Sequence, residues 1–480
     1  MNLQGATVLV PEVRSKARDR ALTASMGSAV VLKLLTSGFG VAAVAISVRA
    51  LGEMQFGVLA TLSTLTGLMA FADFGIGSGL MTQLAIAEGC EDGQRARAMV
   101  SAALSGMLAL GSLVAALGTL AAVMLPWSRI LGVPDVDTDG LQTAVAMFFL
   151  LAGLAIPASI GQRTLMGLQQ GLAANCWLLA GATSSLAGVF IAAVFHQPLW
   201  CFVLASMGLP VLVAALQSTW VLVRSHAHLR PSRTFLTRAS FRSLAGVSGL
   251  FFALNVAVAV AYQTDVLIVA STLGAGSAAL FAIGLRMFGV MSATLAGASQ
   301  QMWTSMAEAL ARGDMAWVRS RFLRIMLGTL AVSVPGAILL VALGRPLARM
   351  WVGPELVPPP ELLAAFALWT VYSLAMTQIS FLLNAAQIVG PQVVMALSMT
   401  AANIVLSLYL TRRIGITGPL VGSLAAHVLS SGVPTAILAM RVLKRGVPPG
   451  GGASHATDID PEAQLQMSRP AVSVEARTDS

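Results

Sequence analysis

Charged residues are scarce in this chain: Asp, Glu, Lys and Arg make up only 10% of its 480 residues. A soluble globular domain carries about 25% charged residues, so a polar surface of ordinary extent is excluded. Hydrophobic residues make up 56%, and several apolar runs exceed the ~20 residues needed to cross the hydrocarbon core as a helix. Lipid offers no partners for backbone N–H and C=O groups, and the alternating pattern of a membrane barrel is absent. The sequence therefore predicts an all-α integral membrane protein.

Cysteines and enzyme motifs are also lacking. The three cysteines, Cys90, Cys176 and Cys201, have neither metal-ligand nor CxxC spacing and form no disulfide framework. There is no GxxxxGK[ST] phosphate-binding loop, no HExxH and no GxSxG. We therefore expect no ATPase site, no bound metal or cofactor and no enzymatic activity. The first residues lack a signal cleavage pattern, so 1–20 is interpreted as a cytoplasmic lead to the first helix.

About twelve apolar segments, bounded by Gly, Pro or charged residues, are predicted to cross the membrane. They are 22–48, 56–80, 98–125, 141–160, 172–194, 199–223, 243–272, 278–303, 322–343, 361–384, 391–410 and 417–440. The chain after Arg445 is rich in Gly and Pro, polar and without hydrophobic period. We expect 446–480 to be a disordered cytoplasmic tail.

The 29 Lys and Arg residues gather on one side of these spans. Basic residues favour the cytoplasmic side of membrane helices, which places both termini in the cytoplasm. Topology thus explains the net charge of +9 without any nucleic acid. The cytoplasmic set is Arg14, Lys16, Arg18, Arg20, Arg95, Arg97, Arg163, Arg224, Arg230, Arg233, Arg238, Arg242, Arg312, Arg319, Arg321, Arg324, Arg441, Lys444 and Arg445. The opposite side carries Arg49, Arg129, Arg345, Arg349, Arg412 and Arg413.

A basic cytoplasmic loop, 224–242, divides the spans into two sets of six. A weak internal repeat agrees with this division, because Leu51-Gly52 and Leu273-Gly274 each stand at the turn after the first span of a set. We therefore expect two parallel six-helix lobes, 21–223 and 243–445. They would be related by an axis along the membrane normal.

Four short segments are distinctive in their order and spacing. They are Val48–Gly57 (VRALGEMQFG), Asp73–Gly77 (DFGIG), Gln301-Met302-Trp303 with Glu308 to Asp314 after it, and Arg413–Gly418 (RIGITG). Together they resemble the polysaccharide transporter branch of the MOP flippase superfamily, the Wzx-type flippases, over roughly residues 20–445. Thr304, where the family often has Pro, and Phe281, near which it often has Tyr, leave the subfamily and the sugar open.

The resemblance implies a MATE/MOP-like fold that works by alternating access. It also implies a cargo: a polyprenyl-pyrophosphate-linked oligosaccharide moved from the cytoplasmic to the periplasmic leaflet. The pathway would be exopolysaccharide, capsule or O-antigen synthesis. Expected partners are this lipid-linked oligosaccharide, membrane lipid and the polymerase or export machinery, and a proton or Na⁺ gradient is a possible driving force.

Bare charge is costly in lipid, so such a cargo needs a wet cavity with cations for phosphate and polar groups for sugar. Lys33 lies thirteen residues after Arg20, about 20 Å along a helix, near mid-bilayer. Ser37 shares its helix face, which favours a position in the cavity. The alternative interpretation is a lysine that reaches the cytoplasmic interface on its long stem.

A second candidate group lies in the seventh and eighth spans. Asp265 shares a helix face with Asn255 and Tyr262, and Arg286 stands at a comparable distance on the other side of Gly274. Asp265 and Arg286 are interpreted either as a structural ion pair or as functional groups. In the functional case Arg286 binds phosphate, Asn255 and Tyr262 line the cavity, and Asp265 couples to an ion.

A third group is a candidate gate or hinge: Asp73, Gly75 and Gly77 at the end of the second span, and Arg49 at the outer end of the first. For Asp73 a contact at a helix terminus is the favoured interpretation. For Arg49 it is anchoring at the interface. His427 is expected to be hydrogen-bonded structure.

Three other functions remain as alternatives. A multidrug/toxin extrusion antiporter would keep the fold, although an acidic cavity would suit organic cations better than Lys33 does. A membrane polymerase or glycosyltransferase is disfavoured because the longest outer loops, 126–140 and 344–360, are short. A non-transporting scaffold of an export complex is compatible with the polar tail, but no feature of the sequence specifically indicates it.

Overall fold

The computed structural model describes residues 11–69, 73–130, 138–352, 354 and 357–446. Within these ranges every regular element is a helix and no strand is found. The predicted tail, 446–480, lies outside the described residues except for Gly446, and so does the first half of the predicted lead.

Sixteen α-helices follow one another in the described chain, several of them being segments of one span. They are α1 (Pro11–Met69), α2 (Ile76–Gly89), α3 (Gly93–Met124), α4 (Trp127–Ile130), α5 (Thr138–Ala158), α6 (Ile160–Gly167), α7 (Gly171–Val194), α8 (Leu199–Val203), α9 (Leu209–Trp220), α10 (Arg238–Leu273), α11 (Ala275–Ala311), α12 (Met315–Val352), α13 (Pro360–Ala385), α14 (Gly390–Ile414), α15 (Gly418–His427) and α16 (Val433–Arg445).

Ten stretches of the described chain are long and apolar enough to cross a membrane, against twelve predicted. Predicted spans 11 and 12 fall in one stretch, Gly390–Arg445, in which a 3-10 turn separates α14 from α15. Predicted span 2 is not continuous, because α1 ends at Met69 and α2 begins at Ile76. The multi-pass, all-helical architecture is as predicted.

Two predicted loops are shorter in the structure. The outer loop 344–360 begins only after Val352, because α12 continues to that residue. Arg345 and Arg349 therefore lie on a helix, from whose last turns a long side chain can still reach water. In the basic loop, a π-helix runs to Ser225 and α10 already begins at Arg238.

The two predicted outer turns are glycines in backbone conformations that other residues avoid. At Gly52, φ is 72° and ψ is 174°, and this residue breaks α1 into two helices. At Gly274, between α10 and α11, φ is 85° and ψ is 171°. A side chain in this region of backbone space is strained, so glycine is required at both positions. The weak repeat in the sequence therefore corresponds to two turns in which a glycine adopts nearly the same backbone conformation.

Buried apolar side chains form separate cores in the first and second halves of the chain. Phe148 and Phe202 anchor a core of α1, α5, α7 and α8, and Phe281 and Phe366 anchor one of α11 and α13. Another cluster joins the halves, because Ala85 of α2 packs among residues of α11 such as Met302 and Met306. We call residues 11–225 the first lobe and 238–446 the second lobe.

The arginine-rich segments meet at one end of the molecule, which we call the basic end. It contains the turns α2–α3, α6–α7 and α11–α12, the segment between the lobes, and the last turn of α16. Arg97 donates to the carbonyl of Arg230 at 2.8 Å, which holds the inter-lobe segment against α3. Arg319 of α12 donates to the carbonyls of Leu443 and Lys444, which fixes the end of α16.

Candidate functional site

Asp73 organises the start of α2. Its Oδ1 accepts the backbone N–H of Gly75 at 2.9 Å, and its Oδ2 accepts that of Gly77 at 3.3 Å. The guanidinium of Arg163 on α6 lies 3.5 Å from the same Oδ2. Backbone N–H groups at a helix start lack partners in the helix, so a carboxylate there is stabilising. The contact at a helix terminus that the sequence favoured is what the structure shows, and a hinge role remains a prediction.

The glycines after Asp73 allow the two lobes to touch. A Cβ on Gly75 would lie 2.3 Å from the carbonyl oxygen of Ser248 on α10. Beside it, Phe74 and Phe252 stack with ring centroids 4.5 Å apart. A side chain on Gly77 would instead collide with Arg163 and Asp73. The DFGIG segment therefore lies at a close inter-lobe contact.

Polar side chains close the basic end between the lobes. Gln169, in the turn between α6 and α7, donates from Nε2 to Oε2 of Glu308 at 2.6 Å. Ser305, which lies one turn before Glu308 on α11, donates to Oε1 of Gln169 at 3.0 Å. Gln169 is held for this role by a turn in which its own φ is 61°. We call Gln169, Ser305 and Glu308 the latch.

The latch is extended by a salt bridge along α11. Arg312 Nε lies 2.8 Å from Oε1 of Glu308, which stands four residues earlier. Nη2 of Arg312 donates to the carbonyl of Glu88 on α2 at 3.5 Å. Close by, a Cβ on Gly89 would lie 2.7 Å from the Cβ of Ala311. The basic end is thus closed by backbone-level packing and by hydrogen bonds that water could replace.

His226 lies next to this closure. Its Nε2 is 3.2 Å from Oε1 of Gln170. Burial lowers the pKa of His226, nearby His228 lowers it further, and Glu88 acts in the opposite direction. The imidazole is therefore neutral at neutral pH and acts as a hydrogen-bonding group.

Asp265 lies within the second lobe, at the contact of α10 with α14 and α15. It is only 5% exposed, and its Oδ2 accepts a hydrogen bond from Ser423 at 2.8 Å. Asn403 donates to the same Ser423 oxygen, and Ser407 donates to Oδ1 of Asn403, both at 2.8 Å. Oδ1 of Asp265 is buried and has no hydrogen-bond partner in the described structure. We call these four residues the polar cluster.

Two glycines bring the polar cluster together. A Cβ on Gly418 would lie 2.3 Å from the backbone N of Thr411, and one on Gly422 would lie 2.7 Å from that of Ser407. Small residues four apart on a membrane helix let two backbones approach closely. The face of α15 that carries Ser423 is therefore pressed onto the face of α14 that carries Asn403 and Ser407.

The direct ion pair suggested for Asp265 and Arg286 is not found among the ion pairs of the described residues. Arg286 is exposed on α11, whereas Asp265 is buried against α15. The sequence placed the two residues at similar distances from Gly274 but could not fix how the helices are rotated. Each residue therefore has to be considered by itself.

The other candidates from the sequence are spread over the structure. Ser37 and Arg49 are exposed on α1, and Asn255 is exposed on α10, so Asn255 and Asp265 are not equally buried. Lys33 and Tyr262 belong to α1 and α10, but the described part of the structure does not extend to their side chains. Proposals for these two residues rest on helix position alone.

His427 is hydrogen-bonded as expected. Its Nδ1 is 2.9 Å from the hydroxyl of Tyr372 on α13. Beside it lies a cavity of about 50 Å³, lined in part by Gln392, Ser431 and Thr435. That volume suits one water molecule among polar partners rather than a sugar.

The residues that the sequence did not single out as a site are those of the latch and three of the polar cluster. Glu308 and Arg312 have a local signal, because an acid four residues before a base forms a pair on a helix. Ser407, Ser423 and Asn403 have none, since Ser and Asn are ordinary residues in a membrane helix. Their importance depends on packing between distant parts of the chain.

Comparison with known proteins adds a family and a fold. Residues 22–303 match the model of a family described as "Polysaccharide biosynthesis protein". Among curated proteins none matches this sequence.

Solved structures that resemble this chain are MATE and MOP superfamily transporters. One is a multidrug resistance MATE family transporter in an outward-facing conformation: TM-score 0.76, 13% identity, covering 89% of this chain and 97% of the other. Another is a MOP superfamily transporter from Pyrococcus furiosus described as having a binding pocket of reverse polarity: TM-score 0.76, 12% identity, with coverages of 89% and 97%. A MATE in the bent conformation matches with TM-score 0.72 and 14% identity, covering 88% of this chain and 95% of the other. At such identities the likeness shows the fold, which is MATE/MOP-like as predicted.

Proposed function

This chain belongs to the polysaccharide biosynthesis protein family, and from that premise we propose that it is a flippase for lipid-linked oligosaccharides. Its cargo is a polyprenyl-pyrophosphate-linked repeat unit in exopolysaccharide, capsule or O-antigen synthesis. It moves this cargo from the cytoplasmic to the periplasmic leaflet of a bacterial inner membrane. The basic end faces the cytoplasm, in keeping with the distribution of Lys and Arg.

The observation that carries this proposal is the latch between the lobes. A lipid-linked sugar must enter from one side and leave at the other, so the two lobes must separate alternately at their two ends. At the basic end the lobes meet through Gln169, Ser305 and Glu308, and water can take over their hydrogen bonds when the lobes separate. The described state is closed at that end, and a loading state requires the latch to open.

Cations supply the phosphate binding that the cargo needs. Arg286 is exposed on α11 and takes part in no ion pair of the described structure, so its guanidinium is available to a pyrophosphate. Lys33 on α1 serves the same purpose from the first lobe, with Ser37, Asn255 and Tyr262 offered to the sugar. Substitution of Lys33 by Ala or Gln should then lower transport without preventing insertion.

The polar cluster is the proposed site at which a coupling ion binds. Among the described residues Asp265 Oδ1 has no hydrogen-bond partner, and Ser423 donates to Oδ2. Asn403 in turn links Ser423 to Ser407, so that hydroxyl and amide groups continue from the carboxylate. Oxygen ligands of this kind suit a hard cation, and the carboxylate alone suits a proton. Binding and release of that ion during the cycle would let a gradient drive the lobes.

The second candidate function is export of organic cations, favoured by the MATE transporters among the similar structures. Deletion of the gene separates the two functions, with polyprenyl-linked intermediates measured on each leaflet. Accumulation on the cytoplasmic side, cleared by complementation, supports the flippase. Short intermediates on the periplasmic side indicate a missing polymerase, and normal polymer with new drug sensitivity indicates the antiporter.

A further inference from the structure

An open apolar groove of about 710 Å³ runs along the first lobe between α3, α5 and α9. All of its lining residues belong to the first lobe or to the segment after it, and Leu154, Leu212 and Val223 among them are exposed. The groove is therefore open at the surface of the first lobe and is not lined by the second. Its walls are mostly leucine, valine and alanine. They include Leu104, Leu151, Leu154, Leu212 and Leu222.

Irregular helix segments shape this groove. Pro157 stands at the end of α5, where proline removes a hydrogen-bond donor and interrupts a helix. Across the groove, a π-helix from Leu204 to Gly208 precedes α9. The few polar groups in the wall are used internally: Ser218 donates to the carbonyl of Ala158 and accepts from the N–H of Gly161. The groove therefore presents an apolar surface to whatever occupies it.

The groove is as long as one leaflet and ends at a positive charge. From Gly208 to Val223 it follows α9 for about 22 Å, more than the ~15 Å that half of a ~30 Å hydrocarbon core supplies. At its basic end it is closed by Arg230 and Pro231. Arg230 is exposed and has no ion-pair partner in the described structure, and segment 224–242 contains five arginines and no acidic residue.

We propose that this groove binds an anionic phospholipid of the leaflet at the basic end, with an acyl chain in the groove and the phosphate at Arg230. The positive charge at the groove's mouth selects a negative headgroup, and the apolar walls accept a chain. The polyprenyl carrier is a poorer occupant, because its headgroup has to reach the passage between the lobes. Only the exclusion of the polyprenyl carrier rests on the proposed function.

The test uses the full-length protein, purified in detergent and stripped of lipid. It is titrated with phosphatidylglycerol or phosphatidylethanolamine of matched chains, and bound lipid is counted by native mass spectrometry. Phosphatidylglycerol should bind about fivefold more tightly, the equivalent of about 1 kcal/mol for one basic residue at the membrane surface. Equal affinities would overturn the proposal.

Variants separate headgroup from chain. Arg230→Gln should remove the preference for phosphatidylglycerol, and Arg230→Lys should keep it. Leu154→Trp combined with Leu212→Trp fills the groove and should weaken both lipids severalfold. The control is Leu178→Trp, at an exposed leucine of α7 outside the groove, and it should change neither affinity. A preference that survives Arg230→Gln contradicts the assignment.

Photo-cross-linking locates the site in the wild-type protein, whether or not the tryptophan variants fold. Phosphatidylglycerol with a diazirine at the end of one chain should label the end of the groove remote from Arg230, at 151–154 and 208–212. Labelling confined to other helices would overturn the proposal. So would undecaprenyl phosphate displacing the probe at a lower concentration than phosphatidylglycerol, because the isoprenoid carrier would then be the occupant.

Discussion

At the residue scale, Asp265 holds a carboxylate where water is nearly excluded, with one hydrogen bond to Oδ2. A buried carboxylate with an unpartnered oxygen costs stability unless a proton or a cation completes it. An ionisable residue inside the bundle of a membrane protein is therefore a candidate for a functional role.

Asp265→Asn is expected to abolish the dependence of transport on an ion gradient and to lower its rate at least tenfold. The amide keeps the size of the side chain and removes the charge. The free energy of unfolding should therefore be unchanged or higher by about 1 kcal/mol. Transport in proteoliposomes with and without imposed gradients, together with Tm in detergent, measures both effects. Asp265→Glu is the charge-retaining comparison. Wild-type gradient dependence in Asp265→Asn would place coupling elsewhere.

The latch offers a second test at this scale. Glu308→Ala removes the carboxylate to which Gln169 donates and with which Arg312 pairs, a loss of about 2–3 kcal/mol for bonds to a charged group. The closed state at the basic end should then be less populated. In a background without the native cysteines, Ala85→Cys, buried between α2 and α11, should react faster with a maleimide.

Glu361→Ala is the matched control for the latch, because Glu361 is an exposed acid in the first turn of α13. It should leave the labelling rate of Ala85→Cys as it is in the wild type. If Glu308→Ala also leaves it unchanged, the latch does not hold the lobes together.

Candidate residues were visible in the sequence, but their partners were not. Asp265 and Arg286 stand out because ionisable residues are rare in apolar runs. Ser423 lies 158 positions from Asp265 and is brought to it by the packing of α15 on α14. Arg163 meets Asp73 across 90 positions in the same way. Partners this far apart depend on tertiary packing, which a single sequence does not specify.

At the scale of helices, apolar length predicted most of the spans, since the requirement for paired backbone groups in lipid is strict. What it missed were interruptions that depend on neighbours. Span 2 was predicted to continue through DFGIG, but the carboxylate of Asp73 there accepts backbone N–H groups and begins a new helix. The extension of α12 to Val352 was missed because charged residues were taken to end the span.

The contact between α14 and α15 gives a prediction for an element. Gly422→Ala places a methyl group 2.7 Å from the backbone N of Ser407, so the helices must separate. Overpacking of this kind costs about 1–3 kcal/mol, and displacement of α15 should also impair ion coupling. Gly328→Ala on α12 is the control, because nothing lies within 4 Å of its Cβ. It should be neutral or stabilising by up to about 1 kcal/mol. Thermal unfolding in detergent compares the two.

For the whole molecule, two pairs of backbone positions recur at the same spacing in the two halves of the chain. Gly52 and Gly274 have nearly the same φ and ψ, and the same sequence distance separates Glu91 from Gly313, which also both have positive φ. These residues end corresponding helices in the two lobes. The repeat is faint in the sequence because backbone geometry is preserved where side chains are not.

Because Gly52 and Gly274 have nearly the same backbone angles, substitution of either glycine should destabilise the protein by a similar amount. Gly52→Ala and Gly274→Ala should each destabilise by about 1–3 kcal/mol, because alanine is strained at these backbone angles although space is available. The double variant should show the sum, since distant sites are additive. Unfolding midpoints of the two single variants and the double variant test this. A cost at only one glycine would mean that the turns are not equivalent.

The contact of Arg319 with the last carbonyls of α16 fixes the place from which the C-terminal residues extend. Gly446, directly after α16, is therefore held at the basic end. Separation of the lobes at that end would have to move α12 and the end of α16 together.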